Sequence, residues 1–190
     1  MLDLIDASLR SNAYDGPQID LYLAGGLAVN FHCGTRYTED VDASFSVRNI
    51  QLPKDLTVGY KRSDGTDAFI YFDKNYNTSF ALLHPEFEAR SPEWPGIGNE
   101  NRTIRLRVLD PLDLAVSKLS RFSDQDREDI FTLASQGYFT AQQLRGHAEE
   151  ALEYYIGDRR STRTSMDLAC KDIELGILLP PAGKSRASHS

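Results

Sequence analysis

The chain has 190 residues, of which 41% are hydrophobic and 26% charged, with a formal net charge of −7; this is ordinary globular composition for one compact unit with room for a helical lobe. No apolar run approaches the ~20 residues of a membrane-spanning helix. The acidic start Met1-Leu2-Asp3-Leu4-Ile5-Asp6 also lacks the basic region of a signal peptide, so a cytoplasmic location with no membrane partner is expected. The acidic balance argues against sequence-independent DNA binding, which needs a positive footprint.

Apolar residues at 2, 4, 5 and 9 predict a short amphipathic helix from Leu2 to about Ser11, broken by Asp15-Gly16-Pro17. Ile19 to Ala24 reads as a compact strand, Gly26 to His32 as a helix ending near Gly34, and Asp40 to Val47 as a second strand. Successive strand side chains alternate between faces, so Val41, Ala43, Phe45 and Val47 share one face and Asp40 and Asp42 the other. Cys33 and Cys170 read as small core residues rather than a disulfide pair.

The middle is strand-rich: Leu56 to Lys61 and Ala68 to Phe72 flank the turn Ser63-Asp64-Gly65, with further candidates at Ser79 to Leu83 and Thr103 to Leu109. Ser91 to Gly98 reads as a loop. The composition shifts at Asp110-Pro111-Leu112-Asp113, a helix start with Asp as N-cap and Pro at the first helical position. Further helices are expected from Asp124 to Ser135, from Thr140 to Tyr155, and from Ser165 to Leu175. The fold class expected is α/β in the α+β sense: residues 1–109 form a small mixed-sheet core, 110–179 a helical C-terminal subdomain packed on it, and 180–190 a disordered tail.

Two carboxylates on one strand face repel unless a cation lies between them, and hard oxygen ligands suit Mg²⁺ or Mn²⁺. The Gly25-Gly26 turn can approach a phosphate closely with its backbone. It lacks the spacing of a dinucleotide-binding or P-loop motif. Metal and phosphate together point to nucleotidyl or phosphoryl transfer. The third carboxylate stays open among Asp67, Asp73, Glu86, Glu88 and Asp126. His32 reads as a satisfied half-buried residue, and His84 has too few neighbouring ligands in sequence for zinc. The groups Arg102, Arg105, Arg107 and Arg159, Arg160, Arg163 read as solvated faces or as contacts to an RNA backbone.

Four motifs occur in order: Gly25-Gly26, the run Arg36-Tyr37-Thr38-Glu39-Asp40-Val41-Asp42, Lys118-Leu119, and Asp126-Arg127-Glu128-Asp129. This arrangement resembles the polymerase-β-like nucleotidyltransferase superfamily, within it the bacterial abortive-infection and toxin–antitoxin nucleotidyltransferases. Gln125 stands where a basic residue often precedes the last motif. The resemblance implies that Asp40 and Asp42 bind the metal, and that Gly25, Gly26, Arg36, Lys118 and Asp129 bind nucleotide. It counts Asp40, Asp42, Lys118 and Asp126 as the catalytic set. It further implies an NTP substrate and transfer of a nucleoside monophosphate to a hydroxyl, favouring a tRNA 3′ end. The biological setting would be phage defence or a toxin–antitoxin pair with a cognate partner protein. The alternatives are an antitoxin or regulator that adds AMP to a protein, and a non-catalytic NTP- or partner-binding module.

Overall fold

The computed structural model describes residues 1–74, 76, 81–97 and 101–178. Helix α1 (Leu2–Ser11) turns Ile5, Asp6 and Leu9 inward. Strand β1 (Ile19–Leu23) leads into α2 (Gly25–Cys33), and the short strands β2 (Asp40–Val41) and β3 (Ala43–Phe45) follow. The hairpin β4 (Thr57–Lys61) and β5 (Asp67–Phe72) comes next, then a single-turn helix α3 (Phe87–Arg90) and β6 (Ile104–Val108). The remainder is helical: α4 (Pro111–Lys118), α5 (Asp124–Ser135), α6 (Ala141–Tyr154) and α7 (Arg159–Leu175). The architecture is mixed α+β, as expected, and no helix among the described residues is long and apolar enough to cross a membrane.

Two three-stranded ladders, ordered β3-β1-β6 and β2-β5-β4, meet at Asp42. Strand β1 pairs parallel with β6 and antiparallel with β3. Strand β2 pairs parallel with β5, which pairs antiparallel with β4. The expected strand from Asp40 to Val47 is therefore corrected: it is two pieces that hydrogen-bond in opposite directions. The Val41 carbonyl accepts from the Asp73 amide at 3.0 Å, whereas the Asp42 carbonyl accepts from the Ala24 amide at 2.8 Å. One extended segment thus joins both ladders, and Asp42 lies at the junction. The alternation persists through it, with Val41 and Ala43 buried, Asp40 exposed and Asp42 half-buried.

The core is one apolar cluster that runs from α1 and β1 through β6 into α4, α5, α6 and α7. Local chemistry sets the helix ends. Asp110 accepts from the Leu112 amide ahead of Pro111, and Ser123 and Thr140 each close a reciprocal capping box. The last helix begins at Arg159 rather than Ser165, because Asp158 accepts from the Arg160 and Ser161 amides. Its first turns bury Thr162 and Ser165 instead of apolar residues, so they carry no hydrophobic period. In the expected strand at Ser79 to Leu83, residues 79 and 80 lie outside the described residues, and 81–83 are not strand although Leu82 is fully buried. The expected disordered tail also lies outside the described residues.

Candidate active site

Strand β1 is buried along most of its length and delivers Ala24 in extended conformation to the first turn of α2. Gly25 then turns with φ +61°, a left-handed conformation that glycine alone adopts without strain. Space demands the same residue. A Cβ on Gly25 would lie 1.8 Å from Asp42 Oδ2. At Gly26 a Cβ would lie 3.2 Å from both Arg36 Nε and Thr38 Cβ. The glycine pair thus lets the N-terminus of α2, with its unsatisfied amides, press against the carboxylate at the sheet junction.

Parallel register adds a third acid to this face. Asp40 pairs with Tyr71 and Val41 with Phe72, so the next residues in line are Asp42 and Asp73. Burial, and next the negative charge of Asp73, push the Asp42 carboxyl above the usual range. Lys118 pulls it down, Asp40 pushes it further up, and Arg121 pulls it down. Among the described residues, neither Asp40 nor Asp42 has a cation within ion-pair distance. Asp73 is thus the one open candidate that faces Asp42. Asp67 instead pairs with Lys61 at 2.8 Å at the far end of the hairpin, and Glu86 and Glu88 stand at α3.

The helical wall is built in the opposite way. Lys118, at the end of α4 and 6% exposed, has its ammonium 2.8 Å from Asp129 Oδ2 and 3.4 Å from Asp126 Oδ1. Arg121 grips Asp126 with two hydrogen bonds of 2.7 Å. Ser123 donates to the same carboxylate from its amide and its hydroxyl, at 3.0 and 2.7 Å. Burial alone would raise Asp126, but the bonds from Arg121 and Ser123 and the charge of Lys118 outweigh it, leaving the carboxyl at about 2. Gln125 reaches Asp129 Oδ1 at 3.2 Å, so a neutral side chain positions this carboxylate where a basic one was looked for. Arg36 Nε is 3.7 Å from Asp129 Oδ1 and is buried without a hydrogen-bond partner beside Gly26.

All eight residues singled out in the sequence converge here: Gly25, Gly26, Arg36, Asp40, Asp42, Lys118, Asp126 and Asp129. Sequence reasoning did not pick out Tyr76, whose phenol is pushed up by burial and then by the charge of Asp42. The donor set facing Asp42 is oxygen only and carries a negative excess, which fits a hard divalent cation. Lys118 and Arg121 both act on Asp42 through their charge, and with the amides at the start of α2 they suit phosphate oxygens.

A second polar cluster has a different character. His84 and His147 stack with ring centroids 4.3 Å apart and planes 6° apart, and His84 Nε2 is 2.9 Å from Glu150 Oε2. His84 Nδ1 accepts from the Glu86 amide at 3.1 Å, so Nε2 carries the proton that binds Glu150. Asp113, fully buried, accepts from His147 Nε2 at 2.8 Å and from Arg90 in two bonds of 2.8 and 2.9 Å. Parallel rings direct their lone pairs into separate planes, and Arg90 brings a positive charge. The cluster clasps α3, α4 and α6 as it stands; ligand atoms of His84, His147 and Glu150 lie within 4.8 Å of one another, with the nitrogens engaged by Glu150, the Glu86 amide and Asp113. His32 is likewise structural, donating from Nε2 to the Leu109 carbonyl at 2.8 Å.

Most arginines of the basic runs have acidic partners within the fold. Arg105 and Arg107 both bind Asp20, Arg102 binds Asp3, and Arg163 binds Glu149, whereas Arg159 donates to the Glu153 and Tyr155 carbonyls. Both cysteines are free thiols, Cys170 buried and Cys33 half-buried. Among curated proteins none matches this chain. Residues 2–174 match the model of a family described as a nucleotidyltransferase of unknown function (DUF6036), and the chain belongs to that family.

Proposed function

We propose that this protein transfers a nucleoside monophosphate from an NTP to a hydroxyl group, releasing pyrophosphate, with Asp40, Asp42 and Asp73 as the carboxylates that hold Mg²⁺ or Mn²⁺. The observation that carries this reading is Asp42 itself: wedged against Gly25, raised by burial and by Asp73, and without a counter-cation among the described residues. When bound, the divalent cation would neutralise phosphate charge and lower the cost of ionising the attacking hydroxyl.

The rest of the work falls to side chains and backbone. The amides opening α2, together with Arg36, orient the β- and γ-phosphates, and Lys118 supplies a point charge held in place by Asp126 and Asp129. Charge that builds on the leaving pyrophosphate is offset by Lys118 and Arg121. Asp73 takes the proton of the hydroxyl as its oxygen bonds to the α-phosphorus, while the bond from that phosphorus to the bridging oxygen breaks. Alignment of these three atoms and fixed charge, rather than covalent catalysis, would lower the barrier.

By the resemblance of its motifs, the favoured acceptor is a tRNA 3′ end, and blocking that end would suit a toxin in phage defence or a toxin–antitoxin pair. The test is incubation with Mg²⁺, total tRNA and each α-labelled NTP. Label on RNA that falls at least about a hundredfold in Asp42→Asn supports the reading. Label retained in that variant removes it, and label on protein assigns the acceptor to a protein hydroxyl.

A further inference from the structure

The sheet face that carries the three carboxylates does not end with them. Tyr71 stands opposite Asp40 in the parallel register, and Phe69 lies two residues further along β5, on the same face. Tyr71 is 43% and Phe69 47% exposed, although Ala68 and Phe72 on either side of the pair are buried. Their rings lie 6.5 Å apart with planes tilted by 37°. On β4 the residue opposite Phe69 is Gly59. A Cβ there would touch the Phe69 ring at 3.4 Å, so the ring rests on bare backbone and its outer face is left uncovered. Residues 73, 71 and 69 therefore form a row that begins at the acid beside Asp42 and continues as two exposed aromatic rings.

In-line transfer gives this row a direction. The leaving pyrophosphate belongs on the side of Lys118, Arg121 and the start of α2, where the cations are. The attacking hydroxyl must approach the α-phosphorus from the opposite side. Strand β5 is the hydrogen-bonded neighbour of β2 and carries Asp73 beside Asp42, so a hydroxyl that gives its proton to Asp73 arrives along β5. Exposed aromatic residues on an open sheet face are the usual stacking partners of unpaired nucleobases.

We propose, resting on the nucleotidyltransferase reading, that Tyr71 and Phe69 are a stacking platform for the terminal bases of a single-stranded nucleic acid, which brings its 3′ hydroxyl to Asp73. The charge distribution is consistent with stacking as the main contribution. The chain is acidic overall, with a net charge of −7, and the cations at the far end of the platform are internally paired, Lys61 with Asp67 and Arg62 with Glu39. Binding is therefore expected to respond more to loss of the rings than to added salt, unlike recognition that rests on phosphate contacts.

The test uses the full chain and a fluorescein-labelled ten-nucleotide single-stranded RNA, read by anisotropy, beside label transfer from an α-labelled NTP to the same RNA. The double variant Phe69→Ala/Tyr71→Ala should weaken RNA binding by at least about tenfold, with the circular dichroism spectrum of the wild type retained. Tyr71→Phe, which keeps the ring, should restore most of the binding lost in Tyr71→Ala. Equal RNA affinity in the double variant, no binding by the wild type, or label going to a protein acceptor would each overturn the platform. Its failure is distinct from that of the underlying reading. Transfer that vanishes in Asp42→Asn but survives loss of both rings removes the platform alone, whereas transfer that survives Asp42→Asn removes the reading beneath it.

Discussion

The two walls of the candidate site handle the same kind of charge in opposite ways. On the helical wall, Asp126 and Asp129 are buried, yet Lys118 and Arg121 neutralise them and Ser123 and Gln125 add hydrogen bonds. On the sheet wall, Asp42 is half-buried among Asp73 and Asp40 with only the distant pull of Lys118 and Arg121, and its carboxyl is pushed up rather than down. A satisfied buried charge holds a structure together. An acid held beside other acids stores a preference for a cation, and the fold sustains it because two ladders and a glycine turn fix its position. The contrast separates residues that build the site from residues that would act in it.

The sharpest way to break the contrast is on the helical wall. Asp126→Ala leaves Lys118, 6% exposed, short of one of its two carboxylates and undoes the cap of α5. Loss of one partner in a buried ionic network costs about 3–5 kcal/mol, so thermal unfolding should shift down by roughly 10 °C. A melting temperature within about 2 °C of wild type would mean that Asp126 is not structural. The pH profile should report the same carboxylate. Its folded value of about 2 lies below the unfolded value of 3.8, so its stabilisation is fully present above pH 3.8. It is lost as pH falls through that window towards 2. The amount is about 2 kcal/mol. Urea unfolding between pH 5 and 2 should show this loss, and Asp126→Asn should flatten it.

Gly25→Ala tests the junction between the walls. Left-handed backbone at a non-glycine residue costs about 1–2 kcal/mol, and the added methyl would meet Asp42 Oδ2 at 1.8 Å. The expected result is a modest stability loss with a far larger loss of NTP-dependent transfer, because the carboxylate must move. Equal and small losses in both would show that Asp42 does not need its present position.

Much of this was legible in the chain itself. Asp110-Pro111 and Thr140 announce their helices through cap chemistry, and residue type and spacing single out the glycine pair with Asp40 and Asp42, which the fold brings together. What was not legible depended on partners distant in sequence. The switch between ladders at Asp42 arises because Ala24 and Asp73 bond neighbouring carbonyls, which alternation along one strand cannot reveal. Asp73 stood among five acids until the register of β2 with β5 set it opposite Asp42. The start of helix α7 escapes an apolar period because its first turns bury hydroxyls. The clasp of His84 with His147 joins a loop to α6, so neither histidine advertises it in sequence.

The most direct test of the frustrated sheet wall is thermal unfolding of wild type and Asp42→Asn, each in EDTA and in Mn²⁺. The account predicts that Mn²⁺ raises the melting temperature of the wild type. It also predicts that Asp42→Asn melts at or above wild type in EDTA, because a disfavoured charge is gone, and that the variant no longer responds to Mn²⁺. A variant that melts lower than wild type in EDTA and keeps the full Mn²⁺ response would contradict it.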